Sequence, residues 1–203
     1  MQTVEHLDAL GYDEAWIGEH HSAGWEMIAD PVPFMAVAAD RTRTIRLGSG
    51  VMSLPYHHPL MVADRFIQLD HMTRGRAMLG VGPGALTSDA HMMGIDAVTQ
   101  RRRMDESLTA ILALFEGKEP VNMETDWFTL NDARLQLAPY SDPYPTLAVA
   151  NVLSPAGATS AGKHGAGILS IGASLPGGLV SLKETWGWAE KAAAEAGRTV
   201  DRG

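Results

Sequence analysis

The chain is 203 residues long, carries 16 Lys and Arg against 24 Asp and Glu for a formal charge of −8, and contains no cysteine. That length supports one domain with a substantial core, and a hydrophobic content of 45% is that of an ordinary globular protein. The acidic balance, without any basic block, argues against nucleic acid and anionic membranes as partners. The missing thiols exclude disulfides, thiolate nucleophiles and Cys-ligated zinc.

Val4, Leu7 and Leu10 fall at helical spacing, and Gly11 ends that helix. Glu14 to Glu19 is a short apolar run ending in charge, which reads as a buried strand. Asp30-Pro31 is a helix start, Asp as N-cap and Pro in the first turn, and Phe34, Val37 and Ala38 are expected to face inward. Ile45 to Met52 reads as one strand, Pro59 to His71 as a helix, and Ala77 to Val81 as a strand. The spacing predicts a long helix over Gln100–Glu116, with Met104, Leu108, Ile111, Leu112 and Phe115 on one face, followed by an inserted hairpin over residues 121–137. Strands at Thr146–Ala150 and Ile168–Ile171 flank a helix over Pro155–His164, and a last helix covers residues 178–197. The N-terminus lacks a signal-peptide pattern and no apolar run reaches 18 residues, so the cytoplasm is the expected compartment.

Apolar strands alternating with helices indicate a parallel sheet, either doubly wound or closed toward a barrel. Gly80-Val81-Gly82-Pro83-Gly84-Ala85 fits a loose dinucleotide fingerprint, but two βα units precede it and Pro83 removes a backbone donor. In every unit the polar and unusual residues follow the strand: Glu19-His20-His21, Ser53-Leu54-Pro55, Gly82-Pro83-Gly84 and Asn151 to Ser154. One rim carrying all the chemistry favours the barrel.

Gly11-Tyr12-Asp13-Glu14-Ala15-Trp16-Ile17-Gly18-Glu19-His20-His21 resembles the second-strand signature of the bacterial luciferase-like, flavin-dependent monooxygenases. Leu47 to Val51 running on to Leu54-Pro55 and His58-Pro59, then Leu69 to Arg76, then Gly80 to Asp89, match the same family in order, most of all its limonene-monooxygenase-like branch. The resemblance implies an α/β fold of the (β/α)8 TIM-barrel type, here incomplete, with about five of eight strands in a single partial domain over residues 1–203. It implies a chain that opens in the first helix and stops before the last strands. It implies an FMN-dependent monooxygenase, using reduced FMN and O2 through C4a-peroxyflavin chemistry on a small apolar organic substrate. A separate NAD(P)H:flavin reductase and a homo-oligomer are expected with it. An F420-dependent oxidoreductase, a shortened flavin-binding protein without catalysis, and an inactive gene fragment remain as alternatives.

On that template His20 is the catalytic candidate, a strand-end imidazole able to move a proton near neutral pH, while His21 reads as part of a buried polar network. Glu19, Gly50, Val51, Gly82 and Gly84 are expected beside the flavin, and the Gly50–Val51 peptide bond is expected to be cis. Ser154-Pro155 opens a helix N-terminus suited to phosphate, with Asn151 and Gly157 nearby. The family places its FMN phosphate after this strand. Asp89 and Met52 are the substrate-side candidates, with Met92 and Met93 near the same rim. His57-His58 adds a second histidine pair, but no carboxylate stands at ligand spacing, so no metal is expected. Asp70, Arg74 and Arg76 read as structural.

Overall fold

The computed structural model of the protein describes residues 1–172 and 178–200. Among them, strands β1 (Glu14–Ile17), β2 (Arg46–Ser49), β4 (Ala77–Gly82), β7 (Thr146–Asn151) and β8 (Gly167–Ser170) form one parallel sheet in that spatial order, and the two-residue β3 (Met52–Ser53) adds to β4. The order never reverses along the chain. A doubly wound sheet needs such a reversal, whereas a barrel does not, so the sheet is a curled half-barrel of five strands. Helices α1 (Gln2–Ala9), α2 (Pro31–Arg41), α3 (Pro59–Thr73), α5 (Gln100–Glu116), α6 (Pro155–His164) and α7 (Gly178–Glu195) pack side by side in chain order. No helix among the described residues is long and apolar enough to cross a membrane.

Alternation along each strand sorts the two faces of the sheet. Ala15, Ile17, Leu47, Leu79, Val81, Leu147 and Val149 join the core beneath the helices. By register, the opposite face carries Trp16, Gly48, Met78, Gly80, Ala148 and Ala150. The glycines there have a steric cause. A Cβ at Gly48 would run into the Trp16 indole, and one at Gly80 would collide with the Ser49 carbonyl oxygen. Trp16 thus lies across two strands that have no side chain beneath it.

At the end where the strands begin, single polar side chains gather several backbone groups. The Arg76 guanidinium donates to the carbonyl oxygens of Ala39, Ile45, Thr42 and Thr73 and to the Thr42 hydroxyl, at 2.7–3.3 Å. The Asp8 carboxylate accepts from the amides of Arg43, Thr44 and Ile45, which hold its carboxyl well below the usual range. The buried Asp70 accepts from the amides of Tyr140 and Ser141 and from the Ser141 hydroxyl. This floor is built for holding, as expected for Asp70 and Arg76.

Most elements stand where the sequence places them. The Asp30 carboxylate caps α2 through the Val32 amide at 2.9 Å, and Gly11 ends α1 with φ +80°. Residues 121–137 contain the antiparallel pair β5 (Val121–Glu124) and β6 (Thr129–Ala133). The Trp127 indole donates to Glu106 at 2.8 Å and Arg102 grips Asp126 through both terminal nitrogens, fastening the pair to α5. Two expectations change. The strand expected over Ile45–Met52 divides into β2 and β3, because the chain leaves β1 after Ser49 and β3 pairs with β4 alone; the Gly50–Val51 bond between them is cis, as the resemblance implies. On α2, Pro31, Met35, Ala38 and Ala39 are buried, so the inward face is rotated from the one expected: Phe34 is only partly covered and Val37 is 47% exposed.

Candidate functional site

Beyond β1 the chain runs through an irregular loop that folds back on itself, closed by a hydrogen bond from the His20 amide to the Ile28 carbonyl at 3.1 Å. Gly24, at φ +74°, makes the reversal. The fold-back brings Glu26 to His20, with Glu26 Oε2 at 2.8 Å from Nε2. The other ring nitrogen, Nδ1, faces Asp89 Oδ2 at 3.4 Å. Asp89 sits in α4 (Thr87–Met92), a short helix absent from the sequence reading, and is buried. Burial opposes its ionisation, yet the Ser22 hydroxyl, the His21 amide and His20 together hold its carboxyl below the usual range. The substrate-side candidate Asp89 is therefore a buried carboxylate held in its anionic form.

Glu19 was expected beside the flavin. Instead its side chain is out of solvent and its oxygens are occupied: Oε1 meets His21 Nε2 at 3.1 Å and His57 Nε2 at 3.0 Å, and Oε2 accepts from the Ser53 amide at 3.2 Å. Glu19 and His21 meet each other across one intervening residue, while His20 turns to Glu26 and Asp89. His21 is thus the network histidine. His57, from the second histidine pair, is its second member, and Glu19 is the carboxylate partner that no fixed spacing advertised.

Tyr56 borders this network, its ring edge-on to His21 with centroids 5.9 Å apart. Burial pushes its phenol up, the Gln100 donor works against that, and the Asp89 and Glu19 charges reinforce it. Gln100 Nε2 also donates to the Pro83 carbonyl at 2.8 Å, pinning the loop after β4. Gly84 follows with φ +85°, and a Cβ there would lie 2.6 Å from Gln100 Nε2, so the loop has no room for a side chain. A Cβ at Gly82 would meet Val51 Cγ2 at 2.6 Å and Ala150 Cβ at 3.6 Å. Val51, Gly82 and Ala150 therefore meet at the strand-end rim, while Gly84 lies against Tyr56 and Gln100 and Gly50 against Trp16. Met52 does not. It is 2% exposed and belongs to the core, because its register partner Val81 faces the helices.

On the far side of the rim, Asn151 Oδ1 accepts from the Ala158 amide at 3.1 Å, an internal tie for α6. A Cβ at Gly157 would collide with the Ala150 carbonyl, so the helix start lies tight against β7. Ser154 is exposed and makes no cap hydrogen bond. Val152, Leu153 and Ile171, just after β7 and β8, are exposed apolar residues along the same edge, as are Met92 and Met93.

A family model described as luciferase-like monooxygenase matches residues 1–202. The chain belongs to that family. Limonene 1,2-monooxygenase of Rhodococcus erythropolis is 54% identical over 202 residues, 100% of this chain and 51% of the relative. 4-Hydroxyprotoasukamycin monooxygenase of Streptomyces nodosus subsp. asukaensis is also 54% identical, over 100% of this chain and 55% of the relative. Among solved structures, the oxygenating constituent of 3,6-diketocamphane monooxygenase from Pseudomonas putida, in complex with FMN, superposes with a TM-score of 0.83 at 28% identity, over 99% of this chain and 58% of that one. The chain spans about half the length of the curated relatives it matches.

Proposed function

We propose that this chain supplies the flavin-facing rim of an FMN-dependent monooxygenase that transfers one oxygen atom from O2 to a small apolar organic substrate. The observation that carries this reading is the position of His20 just beyond β1, held between Glu26 and the buried Asp89. The residues fit a flavin. Gly82 lets the Val51 side chain pack directly on the β4 backbone beside Ala150, so the strand-end surface there is small and apolar, of a kind that suits a flat ring. The first turn of α6, uncapped by Ser154, offers backbone amides and the positive end of a helix to a phosphate. Asn151 and Gly157 would act there by fixing that turn against β7. Two monooxygenase relatives at 54% identity and a structural relative in complex with FMN favour FMN over F420.

Bound reduced flavin would supply the electrons that activate O2. This chain's own contribution is to hold and move a proton at His20 Nε2, to keep a fixed negative charge at Asp89 behind that ring, and to exclude water with Val152, Leu153 and Ile171. Asp89 is the substrate-side residue of this reading, acting through His20. A separate NAD(P)H:flavin reductase, a homo-oligomer and the cytoplasm complete it. The test is the full-length protein given reduced FMN and 18O2. One labelled oxygen atom in an apolar product is expected. Flavin binding without oxygen uptake, or turnover with F420 alone, would overturn the reading.

A further inference from the structure

His20 stands between two carboxylates of different kinds. Asp89, at 3.4 Å from Nδ1, is buried and already accepts from the His21 amide and the Ser22 hydroxyl. Glu26, at 2.8 Å from Nε2, has a side chain 40% exposed. A neutral imidazole has one N–H and can donate to only one of them. The Glu26 contact, at 2.8 Å, is the shorter and stronger of the two, and Asp89 at 3.4 Å is the weaker competitor for the proton. The Glu26 carboxylate is also seated: it lies against the strand end, where a Cβ at Gly18 would come within 3.2 Å of Oε2. The fold-back that carries Glu26 is closed by the backbone of His20 itself, so donor and acceptor are set by the same short loop.

We propose that Glu26 is the positioning residue of His20: it holds the imidazole proton on Nε2, on the solvent side, and so selects the tautomer presented at the rim. Asp89 takes the other nitrogen when Glu26 is removed. The inference rests on the reading of His20 as the proton-handling side chain, and it assigns a task to a residue six positions away in an irregular loop. Trp25 braces the arrangement, its ring 6.0 Å from the imidazole.

The experiment is nitrogen NMR on flavin-free, full-length protein labelled at histidine, with the His20 signals assigned by their loss in His20→Ala. In the wild type, Nε2 is expected to be the protonated, pyrrole-type nitrogen. In Glu26→Ala the proton should shift to Nδ1, while the His21 and His57 signals stay in place. Wild-type protonation on Nδ1, or an unchanged tautomer in Glu26→Ala, would overturn the proposal. In turnover assays, Glu26→Ala is expected to lose at least about 10-fold in rate at saturating FMN, a part of the about 10²–10⁴-fold that full acid–base assistance supplies. Full turnover in Glu26→Ala would overturn the proposal if His20→Ala is inactive. Full turnover in His20→Ala would instead defeat the functional reading beneath it.

Discussion

Glu19 Oε1 receives His57 Nε2 at 3.0 Å, joining the end of β1 to the residue two before α3. The same oxygen also receives His21, and the neighbouring one takes the Ser53 amide, so one buried carboxylate ties residues 19–21 to residues 53–57. Glu19→Ala would strand those donors, and a buried donor left unsatisfied costs about 1–3 kcal/mol. Urea unfolding is expected to show a loss of at least that size. Glu19→Gln, which keeps an acceptor for the Ser53 amide, should lose less. Equal stability of Glu19→Ala and wild type would mean that the network contributes nothing to the fold.

The two glycines under Trp16 should respond differently to alanine. At Gly48 the obstacle is the Trp16 ring, a half-buried side chain that can be removed; at Gly80 it is the Ser49 carbonyl, which belongs to the sheet. Overpacking of this kind costs about 1–3 kcal/mol. Adding Trp16→Ala should recover much of the loss in Gly48→Ala and little of that in Gly80→Ala. Thermal melts of the four single and double variants measure it.

Asp105 links α5 to α6 through His164 Nε2 at 2.8 Å and Lys163 at 2.6 Å. The His164 hydrogen bond comes first among the causes that bring its pKa from 3.8 to about 2, with Lys163 adding to it against the opposing effect of burial. A carboxyl depressed in the folded state binds its proton more readily when unfolded. Its stabilising contribution is therefore present above about pH 4 and lost as the pH falls toward 2. Asp105→Asn should be less stable than wild type at neutral pH, and the gap should close over that window. A constant gap down to pH 2 would contradict the linkage.

At the rim, His20→Ala in the full-length enzyme should lower oxygenation by about 10²-fold or more at saturating FMN, the lower end of what acid–base groups contribute. FMN affinity should change far less. Product formation at the wild-type rate would remove His20 from the chemistry.

The order of strands and helices was legible because each strand is a short apolar run and the helices carry explicit signals, such as Asp30-Pro31 and the apolar face of α5. His20 was legible only through its resemblance to a family signature. Glu26 was not legible at all, since an irregular loop imposes no spacing that a pattern could reveal. The burial of Asp89 depends on α4, a helix of six residues whose N-cap, Leu86, makes no side-chain cap hydrogen bond and so gives no start signal. Met52 misled because sequence position places it beside the rim, while the break at Gly50–Val51 sets a register that sends its side chain into the core.

Arg76 gathers the carbonyls of Ala39, Thr42, Ile45 and Thr73 at one end of the half-barrel, and none of those partners belongs to the rim. The foundation and the chemistry are thus written in separate residues. A library that randomises Val152, Leu153 and Ile171 should yield mostly folded proteins of altered preference, whereas a library of equal size at Arg76 and its neighbours should yield mostly unfolded ones. For directed evolution, this chain offers a rim that tolerates innovation on a base that does not.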